Sequence, residues 1–259
     1  MNRDRKTRWL VLEWISLALL VLLSLLMIRR LIAWNRIMDE ERAAAGLRES
    51  VVTAEPPFEP IAAPTVQPAI QELQDQNKDA VGLLHFGEDH TLYVCQSTDN
   101  AYYMTHRFDG SEDPAGMIYM DYRNTLFPRS DNLILYGHNM RNGSRFGTLG
   151  HYLQKEYLRK YPLFQFADAC ETADYVPFAI FHTSADPDAP EYFAFDRVNF
   201  STDDDFTNYV REVRERSVLK IPLEASPGDR LLTLATCSSE LDHGRLVIVC
   251  RAVREGERF

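Results

Sequence analysis

Residues 230–250 read RLLTLATCSSELDHGRLVIVC, two apolar runs rich in Leu, Val, Ile and Thr on either side of a polar loop. Runs of this length and composition form β-strands, and a short polar loop ending in glycine folds such a pair into an antiparallel hairpin. Side chains alternate across a strand, so Leu232, Leu234 and Thr236 face one way and Thr233, Ala235 and Cys237 the other. Cys237 therefore closes the first strand on the side lined by small residues, as the wall of a pocket would be. Arg245 opens the second strand. In the hairpin its guanidinium returns beside the thiol, where a fixed positive charge favours thiolate or holds a developing oxyanion. Two plainer readings stand beside this one: an unreactive cysteine at a strand end, and an arginine paired with Glu240 or Asp242 for stability alone.

Working outward, similar runs recur through the C-terminal two thirds of the chain: VGLLHF, TLYVCQ, GMIYMDY, NLILYGH, LFQFAD, DYVPFAIFHTS, YFAFD and RLVIVCRAV, separated by Gly, Asp, Asn or Pro. Most have strand length and β-branched or aromatic content. QELQDQNK reads as a short helix, and two longer helical interruptions are expected near 147–161 and 202–219. In the second, Ser201 or Thr202 caps a helix with Phe206, Tyr209, Val210 and Val213 on one face. Many strands and few helices argue for a β-barrel or sandwich rather than an alternating βαβ sheet. His138 ends the strand NLILYGH and enters the turn-forming run NMRNGS, a junction suited to chemistry, although a surface turn histidine is the commoner case. The other six histidines are scattered, with no H-E-x-x-H and no C-x-x-C among the four cysteines, so a metal site is not expected. Cys95 and Cys250 sit in apolar strand patterns as buried thiols. A disulfide would be permitted outside the cell, but nothing in the spacing assigns one.

The N-terminal third is organised differently. Trp9–Ile28, WLVLEWISLALLVLLSLLMI, carries Glu13 as its only charge. Twenty helical residues span about 30 Å, the thickness of a bilayer's hydrocarbon core. The run ends in Met27-Ile28-Arg29-Arg30 rather than in a small-residue cleavage site, which favours an uncleaved anchor over a signal peptide. A charged, Ala-containing stretch follows and can continue as helix. Beyond it EPPFEPIAAPTVQP, with five prolines, reads as a semi-rigid spacer. The expected division is thus 1–34 tail and transmembrane anchor, 35–69 stalk, 70–259 globular domain. Residues 1–36 hold seven basic and two acidic side chains, which leaves the rest of a chain of net charge −10 at −15. So acidic a body is repelled by nucleic-acid phosphates, and DNA or RNA binding is not expected.

Together these residues resemble a known family. Thr233-Leu234-Ala235-Thr236-Cys237 followed by Arg245 is similar to the T-L-x-T-C…R signature of sortases. MDYRN, then SDNLILYGHNM and G-S-x-F-G-x-L, resembles the histidine region of class B sortases, and NKDAVGLLHF, LYVCQ and YYM resemble that class's opening strands. The resemblance covers about residues 70–253, and the TLATC and YGHNM blocks stand about a hundred residues apart. It implies a mostly-β, closed sortase-type barrel of about eight strands with peripheral helices, including a long one before the cysteine strand. It also implies a catalytic trio of His138, Cys237 and Arg245, a substrate groove lined by Tyr136, Thr236 and Asn100, and no cofactor or metal. Ala235 stands where serine is often found, and LYVCQ lacks the proline usual in that strand, which bears on motif preference and not on reaction type. The implied function is that of a membrane-anchored cysteine transpeptidase with its catalytic domain outside the cell. It would cleave a C-terminal sorting signal of a surface protein after threonine, through a thioester, and pass the protein to a peptidoglycan precursor amine. The alternatives are a cell-wall cysteine hydrolase and a non-catalytic tethered binding module.

Overall fold

A computed structural model describes residues 66–259 throughout. Before them it describes a helix, α1 (Arg3–Val52), of which side chains 14, 17 and 19–48 are described. Pro56, Pro57, Pro60 and Pro64 of the expected spacer lie outside the described residues, whereas Pro68 opens α2 (Pro68–Gln76). Proline suits that place because its missing N–H would have no helical partner there. The chain divides into two units, Met1–Glu40 and Glu41–Phe259.

In the first unit, no helix among the described residues is long and apolar enough to cross a membrane. The expected span Trp9–Ile28 begins in turns whose side chains lie mostly outside the described residues. Its described continuous part, Leu19–Ile28, has ten residues before Arg29 and Arg30, about 15 Å of helix and half a bilayer core. The expectation of a spanning helix is therefore not met within the described residues.

The second unit is an eight-stranded closed barrel: β1 (Ala80–Phe86), β2 (His90–Cys95), β3 (Ile118–Met120), β4 (Asn132–Tyr136), β5 (Phe164–Asp168), β6 (Thr172–Ser184), β7 (Leu231–Cys237) and β8 (Gly244–Ala252), in the order β1-β2-β3-β4-β7-β8-β6-β5. Two neighbours are parallel, β2 with β3 and β4 with β7; the rest are antiparallel. Alternation sorts each strand between two environments. Leu232 and Leu234 join Leu84, Val94, Leu135 and Ile248 inside the barrel. Leu231 and Ala235 face outward, under α4 (Asp203–Arg216).

α4 follows from its sequence. Thr202 caps it, its Oγ1 accepting the Asp205 N–H at 3.1 Å. Asp203, Asp204 and Asp205 stand in the positive first turn, with Arg214 and Arg216 in the last. Phe206, Tyr209, Val210 and Val213 form the buried stripe. The helix expected near 147–161 is shorter than its sequence suggested: a 3-10 turn Leu149–Leu153 and then α3 (Lys155–Lys160). YFAFD forms no strand either. Phe193 and Phe195 pack beneath α4, and the Phe195 carbonyl accepts from the Tyr209 hydroxyl at 2.8 Å. Its alternation marks a buried packing face rather than a paired edge. All four cysteines are free, with Cys95 and Cys250 buried.

Candidate active site

The three residues expected to act together are separated in sequence; strand register pairs two of them, and the third stands on a loop that adjoins the same strand end. Cys237 pairs with Arg245 across β7 and β8, and Arg245 pairs in turn with Thr183 on β6. Directly opposed residues of an antiparallel pair share a face, with Cβ atoms about 5 Å apart. On the other side, β4 runs parallel to β7 with Tyr136 beside Ala235. Past the strand end the Gly137 N–H donates to the Ala235 carbonyl at 3.3 Å, and the Asn139 side-chain amide donates to the Cys237 carbonyl at 2.9 Å. These two bonds hold the loop that carries His138 against the end of β7, where Cys237 stands. Thr183, Arg245 and Cys237 thus form one cross-strand row, with His138 on the loop that adjoins its Cys237 end.

Beneath this row lies another, Tyr119–Tyr136–Ala235–Val247, whose members are buried or half-buried. Cys237 is exposed and His138 and Arg245 are half-buried, so this end of the row is open to solvent, whereas Thr183 is buried. Arg245 makes no ion pair among the described residues; its guanidinium donates to the Gly244 carbonyl at 3.1 Å. The reading that tied it to Glu240 or Asp242 is not what the structure displays. Burial pushes the Tyr119 phenol up to about 12, while the field of Arg245 pulls it down and that of Cys237 raises it. The phenol therefore lies within electrostatic reach of both groups.

The His138 ring is held from a different direction. Its Nε2 donates to the Met104 carbonyl at 2.8 Å, a bond that requires the proton on Nε2. Met104 ends a 3-10 turn, Tyr102–Met104, and Gly116 lies against that turn at φ +50. A Cβ at Gly116 would stand 2.6 Å from the Met104 oxygen, so only glycine leaves that carbonyl in place.

The expected groove residues are tied into the protein. Thr236 is buried, and its hydroxyl donates to the Gly137 carbonyl at 2.7 Å. The Tyr136 hydroxyl and the Asn100 amide both donate to Asp121 Oδ2, at 3.0 and 3.1 Å. Asn100 Oδ1 also accepts the Tyr122 N–H. Asp121 is fully buried and is gripped by Arg123 through Nε and a terminal nitrogen, each at 2.8 Å. Burial pushes its carboxyl up, but the hydrogen bonds from Arg123 and Asn100 outweigh this and hold it below the usual carboxylate range. Asp121, Met104, Asn139 and Gly116 were not singled out in the sequence. Asp121 and Gly116 lie in the quoted blocks MDYRN and GMIYMDY, but neither residue type reveals its partner.

Among the described residues no group of three His, Cys, Asp or Glu side chains is arranged to hold a metal ion. A cavity of about 750 Å³ is lined by Phe178, α4 and residues between 217 and 225, and by none of the row. An exposed thiol in an open row suits an extended peptide better than an enclosed ligand.

No protein-family model matches the chain. It is 36% identical over 186 residues to sortase B of Listeria monocytogenes, covering 71% of this chain and 73% of the relative. The structure of sortase B from Bacillus anthracis in complex with AAEK1 superposes with a TM-score of 0.71 at 26% identity, covering 87% of this chain and all of that one. A Staphylococcus aureus sortase B–substrate complex shares the fold, with a TM-score of 0.73 at 23% identity over 86% of this chain and 99% of that one. On the Listeria relative and the barrel it shares with these structures, the chain belongs to the sortase B family and is a cysteine transpeptidase.

Proposed function

We propose that the enzyme cuts a C-terminal sorting peptide after threonine and transfers the upstream protein to an amine of the cell wall, with His138, Cys237 and Arg245 as the catalytic residues. The observation that carries this is the exposed Cys237 thiol, which opposes Arg245 across β7 and β8 while the loop bearing His138 is bonded to the Cys237 carbonyl through Asn139. Cys237 thiolate attacks the threonine carbonyl carbon, and Arg245 stabilises the oxyanion that develops. The C–N bond then breaks as His138 delivers its proton to the departing amine, leaving a thioester. An acceptor amine attacks that thioester and passes a proton back to His138. The new C–N bond forms, the C–S bond breaks and the thiolate is regenerated. No step draws on a cofactor.

The same reading makes α1 a membrane anchor with the barrel outside the cell. In support, Leu19–Leu23 and Leu25–Ile28 each stand about half exposed or more, and the turns before them are apolar in sequence. Tethering enzyme and substrate to one surface raises their effective concentration.

Intact mass spectrometry with a library of short threonine-containing peptides tests the chemistry. The expected result is a mass adduct on Cys237 that an added amine resolves into a ligated product, and that Cys237→Ala abolishes. Peptide cleavage that survives in Cys237→Ala would remove the nucleophile. Hydrolysis with no amine-dependent product would turn the reading toward a peptidase.

A further inference from the structure

We propose that Glu41, at the start of the barrel unit and far from the thiol in sequence, is a positioning residue for the loop that carries His138. The inference rests on the function proposed for His138, and it starts from Arg145. This residue is fully buried and holds a left-handed backbone, φ +56, that a non-glycine side chain rarely adopts. It lies in the turn running from His138 back to the barrel wall, where it bridges Asn139, and the next amide, Phe146 N–H, donates to the His138 carbonyl at 3.0 Å. The backbone of Arg145 therefore sets where the histidine's own carbonyl is held.

The Arg145 N–H donates to Glu41 Oε1 at 3.3 Å, across 104 residues of chain and in a buried setting. Glu41 is presented by a docked segment of helix. Ala44, one turn on, is fully buried, and Leu47 packs against the cluster of Leu83 and Tyr93. These positions fall on one helical face. The histidine is thus held twice: its ring by the Met104 carbonyl and its main chain by a strained turn whose buried amide ends on the Glu41 carboxylate.

Without that acceptor, Arg145 has a buried N–H to satisfy and an unfavourable φ to relax, and both draw the turn away from His138. The Glu41 carboxylate acts on this turn through the Arg145 main chain, away from the peptide-binding groove proposed above. Its loss should therefore slow proton delivery without weakening peptide binding.

The test uses the full-length chain and the threonine-containing peptide that gives the highest thioester yield in the library assay. Glu41→Ala is expected to lower kcat at least tenfold with KM within twofold of wild type. Glu41→Gln keeps a carbonyl oxygen at the same place and should stay within threefold. In parallel, the Arg145 amide of the wild-type protein should exchange with deuterium at least a hundredfold more slowly than an exposed loop amide. Wild-type kcat in Glu41→Ala, an equal loss in Glu41→Gln, or rapid exchange at Arg145 would each overturn the proposal. Should Glu41→Ala fail to fold, Glu41→Gln and the wild-type exchange rate still decide it. Should the wild type form no thioester, the proposed function fails instead, and exchange alone judges the Glu41–Arg145 contact.

Discussion

Replacing Asp121 with alanine puts the floor of the proposed groove to a quantitative test. The carboxylate is fully buried and accepts from the Tyr136 hydroxyl, the Asn100 amide, and the Arg123 side chain and main chain. Removing it strands the hydroxyl and the amide and leaves Arg123 with Asp196 as its one carboxylate partner among the described residues. Loss of one partner from such a buried charged network costs about 3–5 kcal/mol, against about 0.5 kcal/mol for an ordinary surface change. Asp121→Asn keeps two acceptor sites for the hydroxyl and amide but loses the charge, and about 1–3 kcal/mol is expected. Urea unfolding followed by tryptophan-independent far-UV dichroism measures both. Asn100→Ala should cost less in the Asp121→Ala background than in wild type, because the amide's partner is already gone.

The pH dependence has a definite sign. The folded carboxyl is held below its unfolded value, so its contribution is fully present above about pH 4 and fades as pH falls through the depressed folded value. The same fall should be missing from Asp121→Asn. A cost under about 1 kcal/mol for Asp121→Ala would refute the reasoning, since burial without a partner is expensive at any plausible interior polarity.

Three other outcomes are expected. Gly116→Ala forces a Cβ against the Met104 carbonyl and should cut the rate of thioester formation at least tenfold while peptide binding, read by fluorescence anisotropy, is unchanged. Arg245→Lys should lower kcat/KM at least tenfold in the peptide-ligation assay, because an ammonium lacks the planar fork that two oxyanion hydrogen bonds need; activity near wild type would reduce Arg245 to a structural role. Burial, with Arg48 nearby, holds His85 down to about 4 from 6.5. The unfolded chain therefore takes up a proton that the fold refuses, and stability should drop as pH falls from about 6.5 to about 4, by order 1 kcal/mol after solvent screening; a midpoint in urea that stays flat across that window in wild type, or drops as steeply in His85→Gln, would contradict this.

Local periodicity carried much of the architecture. Alternation in RLLTLATC and RLVIVC, and the Phe206, Tyr209, Val210, Val213 spacing, specify which face of each element is apolar, and any fold must bury those faces. That is why the strands of the barrel and α4 were readable before their partners were known. The hairpin of β7 and β8 was readable for the same reason: its register follows from a short loop, so Arg245 had to return beside Cys237. YFAFD was misread as a strand because alternation does not distinguish a hydrogen-bonding edge from a surface covered by a helix. The approach of the His138 loop to the Cys237 end of β7 depends on β4 lying parallel to β7, a pairing across about a hundred residues that no local signal encodes. Asp121, Met104 and Glu41 were invisible for a related reason. A carboxylate or a carbonyl acquires its role from burial and from the donor it meets, and both are properties of the assembled barrel rather than of the residue's neighbours in the chain.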